Sequence, residues 1–302
     1  MTIMDRSVLY QINGLEKPQK ISGFLKEKGY SRQNLVDLRK DEQAICLNGT
    51  YVHMNHMLAE GDVLTVWIRE TENSGQIRPV KLPFAIVYED EDLLVINKPA
   101  GMPVHPSRGN PENSLGNALA WYFKEQGVPF VFRCINRLDR DTTGALILAK
   151  NPLSAAILSV QMKKRQILRT YLALVDGLLP DSGTINAPIA RMEGSVITRE
   201  VNFGTGESAI THYERLAAGK EYSLAELHLE TGRTHQIRVH MKYIGHPLPG
   251  DYLYNPDYRR ITRQPLHSYQ LEVTHPTTGK VMLFTAPLPI DFISAFYSNP
   301  LK

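Results

Sequence analysis

Predicted strands dominate the chain after residue 84, and few helices lie between them. Apolar runs predict strands at 84–88, 93–97, 144–150, 167–175, 222–230 and 271–285, the last interrupted by a turn at 276–279. Helices are predicted at 115–125 and at 151–166, where Asn151 is a suitable N-cap and a proline follows it. A parallel sheet needs a crossover connection, usually a helix, between its strands. The order therefore predicts an α+β fold with a mixed, largely antiparallel sheet.

The composition is that of a globular protein with a sizeable core, since 42% of the 302 residues are hydrophobic. No apolar run approaches the roughly 20 residues that span a bilayer, and the first residues lack a signal-peptide pattern. We therefore expect a cytoplasmic monomer that does not associate with membranes. Cys46 and Cys134 form no CxxC pair, which argues against a disulfide framework or a cysteine zinc site.

A polar segment at 71–76 predicts a boundary between two domains. We expect a small domain at 1–70, a linker at 71–82 and a large domain at 83–302. The small domain should contain helices at 21–30 and 31–40, a hairpin turning at Asn48-Gly49, and a further strand after Gly61-Asp62. Residues 17–40 carry seven basic side chains and two acidic ones. A basic face on these helices is suited to a polyanionic partner, although the net charge of +3 alone would not indicate one.

The segments 24–32, 45–52 and 58–64 resemble the S4 RNA-binding module. The resemblance implies that this small domain binds RNA through exposed cations of its helices, for which Lys26, Lys28 and Arg32 are the candidates. The alternative is an unrelated α+β appendage used for packing or dimerisation.

Asp139 lies between Arg137 and Arg140, immediately before the predicted strand at 144–150. Such a carboxylate should remain ionised, but taken alone it is more often part of a turn or a surface ion pair than of an active site. Two distant segments alter that interpretation. Tyr171 lies in a strand whose alternation places it on one side with Ala173, and residues 231–240 are a polar loop that enters a helix. Loops of that kind commonly bind phosphates and bases.

Five motifs, in order, resemble those of RluA-type pseudouridine synthases, and the resemblance covers roughly residues 84–292. They lie at 97–105, 137–139, 171–177, 231–241 and 265–267. The resemblance implies the pseudouridine synthase fold and the isomerisation of uridine within RNA. In that reaction the bond from N1 to C1′ breaks, the uracil rotates, and C5 is joined to C1′ without any cofactor. With the S4-like segment, it favours ribosomal RNA over transfer RNA as the partner.

The resemblance also implies catalytic roles for three residues. Asp139 matches the catalytic carboxylate, which acts either as the nucleophile at C1′ or as the base at C2′. An arginine paired with that carboxylate keeps it ionised and oriented. Arg238 matches this arginine better than Arg233 does, and both are candidates. Tyr171 matches the tyrosine that stacks on the base and whose hydroxyl can assist proton transfer at C5.

The remaining matches concern substrate binding. Leu266 matches the apolar residue on the other face of the base, and Arg137 matches a residue that enters the helix stack when the uridine is turned out. Flipping is required because a stacked nucleotide hides its reacting atoms. Arg233, His235 and Gln236 are also expected to bind substrate.

Two positions depart from the family pattern. Asn136 stands where a histidine is usual, and Thr143 stands where a serine is usual. Asparagine keeps hydrogen-bonding capacity without the ring, so we expect Asn136 to affect substrate preference more than catalysis.

Three other functions are alternatives to uridine isomerisation. A metal enzyme is disfavoured because His235 and His240, five residues apart, would lie about 140° apart on a helix. A glycosidase would need two carboxylates flanking the bond, and Asp141 is too close in sequence to Asp139 for that geometry. The third alternative is a catalytically silent RNA-binding protein of ribosome assembly, which would need basic and aromatic residues but not the Asp139 carboxylate.

Overall fold

A computed structural model describes residues 4–15, 17–70 and 74–297. The N-terminal part contains two short helices and six strands. These are β1 (Met4–Gln11), β2 (Gln19–Lys20), α1 (Ile21–Glu27), α2 (Arg32–Lys40), β3 (Ile45–Leu47), β4 (Thr50–Tyr51), β5 (Met57–Leu58) and β6 (Val63–Glu70). Four strands form an antiparallel sheet in the order β1-β6-β3-β4, and β2 pairs with β5.

The predicted hairpin is confirmed between β3 and β4. Asn48 and Gly49 have φ values of 49° and 83°, the two left-handed residues that a tight hairpin turn requires. Both predicted helices are also confirmed, although each is shorter than expected. Strand β1 was not predicted. Of the expected linker, residues 71–73 lie outside the described residues, and 74–82 form neither helix nor strand.

The C-terminal part contains a nine-stranded sheet, a separate two-stranded pair and four helices. Its strands are β7 (Ala85–Glu89), β8 (Leu93–Lys98), β9 (Thr143–Ala149), β10 (Leu168–Asp176), β11 (Ser182–Asn186), β12 (Ile189–Arg191), β13 (Arg199–Val201), β14 (Ile210–Ala218), β15 (Tyr222–Leu229), β16 (Leu266–Thr274) and β17 (Val281–Thr285). Its helices are α3 (Leu115–Glu125), α4 (Pro152–Lys163), α5 (Gln236–Tyr243) and α6 (Ile290–Tyr297). No helix among the described residues is long and apolar enough to cross a membrane.

The large sheet runs in the order β11-β14-β15-β10-β16-β9-β8-β7, and β17 adds to β16. The pair β16 and β9 is parallel, while the other neighbouring strands of this sheet are antiparallel. This confirms the α+β fold with a mixed, largely antiparallel sheet.

The two faces of the sheet bury different side chains. Tyr171, Ala173 and Val175 belong to a core that α3 and α5 cover, whereas Leu172 and Leu174 pack with α6 on the other side. The predicted alternation along β10 is therefore confirmed.

The N-terminal part packs against α4 and the strand end that leads into it. Leu153 of α4 lies in the N-terminal core, and Gly29 approaches Ile157 so closely that a Cβ would lie 2.7 Å from its side chain. Arg6 bonds to the buried Asp92, with its Nη2 at 2.9 Å from Oδ2. This contact lies at the end of β9, a strand roughly 20 Å long that begins beside Asp139. The N-terminal part is thus attached at the end of β9 remote from Asp139.

Candidate active site

Asp139 lies in a tight turn immediately before β9. Thr142 N donates to the Asp139 carbonyl at 3.2 Å and closes the turn. Gly144 then has a φ of 108°, and a Cβ there would lie 2.2 Å from the Ser268 carbonyl oxygen. Glycine is needed at this point because β9 and β16 approach too closely for a side chain. The approach brings the Asp139 turn beside Leu266 at the start of β16.

Lys98 supports the same turn from the end of β8. Its buried ammonium group donates to the carbonyls of Pro99, Met102 and Arg140, each at 2.8 Å. Burial lowers the pKa of Lys98 to about 7, against the attraction of nearby carboxylates. Because Arg140 is the neighbour of Asp139, this contact fixes the backbone that presents the carboxylate.

Arg238, on α5, is the arginine that the fold places on Asp139. Its Nη1 lies 2.8 Å from Asp139 Oδ2. The rest of the guanidinium is held by Asp251, with Nε and Nη2 each 2.7 Å from a carboxylate oxygen. Arg238 and Asp251 have side chains only 1% exposed, while that of Asp139 is 26% exposed. Burial alone would lower the pKa of Arg238, but the two carboxylates outweigh it and raise the pKa.

Asp251 is a site residue that the sequence interpretation missed. It also accepts backbone hydrogen bonds from Leu253 at 3.0 Å and Tyr254 at 3.3 Å, so the turn that it begins holds it in place. In the sequence it is an acidic residue after a glycine, which is typical of a surface turn. The sequence signal for Asp251 was the Gly250-Asp251 pair. This pair predicts a turn but does not predict whether the turn is buried.

Tyr254 was also missed, and it connects to Asp139 through His235. Its hydroxyl accepts from Arg199 N at 2.8 Å and contacts His235 Nδ1 at 2.9 Å. Burial raises the pKa of Tyr254 to about 12, so the hydroxyl stays protonated. Burial also lowers the pKa of His235. The other ring nitrogen of His235, Nε2, lies 3.9 Å from Asp139 Oδ1.

One cleft brings together all the residues predicted from the C-terminal motifs for catalysis or substrate binding. The cleft is lined by Arg137, Asp139, Tyr171, Arg233, His235, Gln236, Arg238 and Leu266. The predicted N-terminal cations lie elsewhere, exposed on or beside the first two helices: Lys26, Lys28 and Arg32.

Two cleft residues have different surroundings from those expected. Arg233 does not contact Asp139; it pairs with Glu207 and donates from Nε to the Ser208 carbonyl at 3.1 Å. Gln236 is buried, and its Oε1 accepts from Arg233 N at 2.9 Å while its Nε2 donates to the Ile210 carbonyl at 2.9 Å. The Gln236 amide therefore holds the loop that enters α5, which leaves it little capacity to bind substrate.

Asn136 does not line the cleft. It is buried, and its Oδ1 accepts from Ile147 N at 2.8 Å while its Nδ2 lies 3.5 Å from the Ala145 carbonyl. These bonds attach the segment before the Asp139 turn to β9. The expected effect of Asn136 on substrate preference is not supported by this position, which is structural.

The histidines considered for a metal site are separated by the fold. His240 is buried and bonds to Thr211 Oγ1 and to the Ala187 carbonyl, each at 2.8 Å, whereas His235 faces Asp139. Within the described residues, no group of three or more histidine, cysteine or acidic side chains is arranged to hold a metal ion.

The chain is similar to bacterial and human proteins with a common description. Residues 92–243 match the model of a family described as RNA pseudouridylate synthase. A Bacillus subtilis protein described as uncharacterized RNA pseudouridine synthase YjbO is 40% identical over 90% of this chain and 96% of the relative. Ribosomal large subunit pseudouridine synthase D of Zymomonas mobilis is 43% identical over 70% of this chain and 72% of that protein.

A solved structure shows the same architecture. Human RNA Pseudouridylate Synthase Domain Containing 1 matches with a TM-score of 0.56 and 27% identity, over 72% of this chain and 96% of that one. The family model covers half of the sequence, including Asp139, Tyr171 and Arg238. With the relatives above, these matches establish that the chain belongs to the RNA pseudouridylate synthase family.

Proposed function

We propose that this RNA pseudouridine synthase acts on uridines of large-subunit ribosomal RNA, with Asp139 as the catalytic carboxylate. The arrangement around Asp139 is the observation that carries the proposal. One carboxylate oxygen, Oδ2, accepts from Arg238, and the other faces His235 Nε2 at 3.9 Å across the cleft. Oδ1 is therefore the oxygen available to the ribose, either as the nucleophile at C1′ or as the base at C2′.

Charge explains why the carboxylate remains reactive although an arginine holds it. Asp251 binds Arg238 through two hydrogen bonds and offsets its positive charge. The three groups together keep a net negative charge, which lies on the more exposed Asp139. Preorganised charge of this kind stabilises an electron-deficient C1′ in the transition state.

Tyr171 and Leu266 provide the place for the uracil ring. Tyr171 pairs with Ser268 across β10 and β16, and Ala173 pairs with Leu266. Tyr171 and Leu266 are therefore diagonal neighbours on one face, with backbones roughly 7–8 Å apart. Both are mostly buried, and both line the cleft with Asp139. A flat base turned out of its stack can be held by these side chains beside the carboxylate.

The ribosomal part of the proposal rests on the relatives. Proteins named ribosomal large subunit pseudouridine synthase D from Haemophilus ducreyi and Zymomonas mobilis are 38% and 43% identical to this chain. We further propose that residues 1–70 are an S4-like RNA-binding domain, because Lys26, Lys28 and Arg32 form an exposed basic surface at its helices. Such cations bind phosphates without reading sequence.

Mapping of pseudouridine in cells tests this proposal. Deletion of the gene should remove pseudouridine from one or more sites of large-subunit ribosomal RNA, and a wild-type copy should restore it. An Asp139→Ala copy should not restore it, whereas an Asp181→Asn copy should, because Asp181 is an exposed aspartate that also pairs with an arginine. Restoration by Asp139→Ala would refute the catalytic assignment. If deletion changed no site, a catalytically silent RNA-binding protein would be the better explanation.

A further inference from the structure

Arg169 is a partly buried arginine that lacks a charge partner among the described residues. Its Nε is buried and has no hydrogen-bond partner. The arginines around it are neutralised: Arg165 pairs with Glu230, Arg233 pairs with Glu207, and Arg238 bonds to two aspartates. A half-buried guanidinium without an anion is unfavourable, so this position is suited to an anion from outside the chain.

The fold places Arg169 at the edge of the active-site cleft. Thr170 pairs with His228 and Tyr171 pairs with Leu227 across β10 and β15. The next position along this register sets Arg169 opposite Leu229, which lines the cleft. Arg169 also lies two residues before Tyr171, beside the β-bulge that shifts the pairing of β10 with β16 between Thr170 and Tyr171.

Gly232 provides a second constraint on the position of the guanidinium. A Cβ at Gly232 would lie 3.3 Å from Arg169 Nη1, so the guanidinium packs directly against the backbone of that loop. The same loop continues through Arg233 and His235, which line the cleft, into α5. The guanidinium is thus held beside this loop. An RNA strand with one base in the cleft would bring its backbone within reach of the guanidinium.

We propose that Arg169 binds a phosphodiester group of the RNA strand next to the flipped uridine. This inference rests on the proposed function. A guanidinium can form two parallel hydrogen bonds with phosphate oxygens through its two Nη groups, which does not require the buried Nε. Turning a nucleotide out of its stack costs a few kcal/mol, which contacts to the adjoining backbone offset. Arg169 would supply one such contact without reading the base.

The test compares Arg169→Gln with Arg165→Gln, an exposed arginine four residues earlier that pairs with Glu230. Both are made in Asp139→Asn protein, so that RNA is bound without being converted. The probe is large-subunit ribosomal RNA transcribed in vitro, and binding is measured between 50 and 200 mM KCl. Arg169→Gln should weaken binding about tenfold and reduce the slope of log K against log[KCl] by about 0.7–0.9. Arg165→Gln should change the affinity by no more than about twofold and leave the slope unchanged.

Arg169→Lys is a control for a folding defect in Arg169→Gln. It retains the charge, so it should keep the salt slope while losing part of the affinity. An unchanged slope in a folded Arg169→Gln protein would overturn the inference, even if the wild-type enzyme makes pseudouridine. If the Asp139→Asn protein binds RNA through Arg169 but the wild-type protein makes no pseudouridine, the proposed function fails and the phosphate contact stands. If the Asp139→Asn protein does not bind this RNA, the proposed function and the phosphate contact are both overturned.

Discussion

Arg238 sits between two carboxylates that differ in exposure, and this difference assigns their roles. The buried Asp251 bonds to Arg238 through two oxygens, while the partly exposed Asp139 bonds through one, and the proposed function uses its other oxygen for substrate. Asp251 does not line the cleft, so it acts by positioning Arg238. Sequence motifs predicted Asp139 and Arg238, which the fold places in contact, but not Asp251, because burial of an acidic turn residue has no local sequence signal.

Asp251→Asn should lower kcat about a hundredfold and change KM by less than about threefold, because a misplaced Arg238 no longer orients Asp139. The substitution should also destabilise the protein by about 3 kcal/mol, since it leaves a buried guanidinium without its main partner. Steady-state kinetics and chemical denaturation measure the two effects. Asp257→Asn, which removes an arginine partner near the surface, is the control. A wild-type kcat in folded Asp251→Asn would exclude the positioning role.

His267, a buried residue of β16, should make the stability depend on pH. It is buried, accepts from Thr143 Oγ1 at 2.8 Å through Nδ1 and donates to the Ala286 carbonyl at 3.1 Å. Burial lowers the pKa of His267 to about 4 from its ordinary value of 6.5. Between these values the unfolded chain binds more protons than the folded protein, so stability rises with pH across that window.

The free energy of unfolding should therefore fall by up to about 3 kcal/mol through His267 as the pH is lowered from 6.5 to 4. His267→Gln, which keeps a donor and an acceptor, should lack this component. Denaturant titrations at several pH values compare the two proteins. Equal losses of stability in both would show that His267 does not carry the effect.

The parallel contact between β9 and β16 brings the proposed active site together. It brings Asp139 to Leu266 although 127 residues separate them in sequence. Periodicity predicted β9 and the last part of β16, and α3 was predicted with its observed bounds. The start of β16 and its pairing with a strand so far away in sequence are tertiary properties. Strands β11 to β14 were missed for a related reason. Strand β14 has the sequence ITHYERLAA, which shows little apolar alternation, and it forms through its pairing with β15.

Gly144→Ala tests this contact directly. The added methyl group would meet the backbone of Ser268, and the φ of 108° is unfavourable for alanine. We expect a loss of more than about 2 kcal/mol in unfolding free energy and a severe loss of activity. Gly279→Ala is the matched control, because its φ is 70° and nothing lies within 4 Å of its added Cβ. It should lose only about 1 kcal/mol. Similar losses in both variants would contradict the close-approach explanation.

The N-terminal part of the molecule is attached to the end of β9 that is remote from the proposed active site. The sequence suggested a separate RNA-binding domain but gave no indication of this attachment, because Arg6 and Asp92 are ordinary charged residues in the sequence. Asp92 accepts from Arg6, Thr277, Asn151 and Ser154. Burial acts to raise the pKa of Asp92, but these hydrogen bonds outweigh it and lower the pKa. RNA that contacts both parts must extend over roughly 20 Å or more.

Arg6→Ala should weaken this attachment by about 3 kcal/mol, because it leaves Asp92 buried without its cationic partner. Hydrogen exchange should then become faster in β1 and in the first turn of α4, while β10 and β15 keep their protection. Arg39→Ala, an exposed arginine of α2, should have no such effect. Unchanged exchange in Arg6→Ala would show that the apolar contacts of Leu153 and Ile157 are sufficient.

Release of tritium from RNA labelled at C5 of uridine tests the catalytic role of Asp139 most directly. The C5 hydrogen is lost when C5 is joined to C1′, so each release reports one completed isomerisation. Wild-type protein should release tritium from large-subunit ribosomal RNA, and Asp139→Asn should be slower by about a thousandfold or more while binding the same RNA. Release by Asp139→Asn at the wild-type rate would contradict the assignment of Asp139 as the catalytic carboxylate.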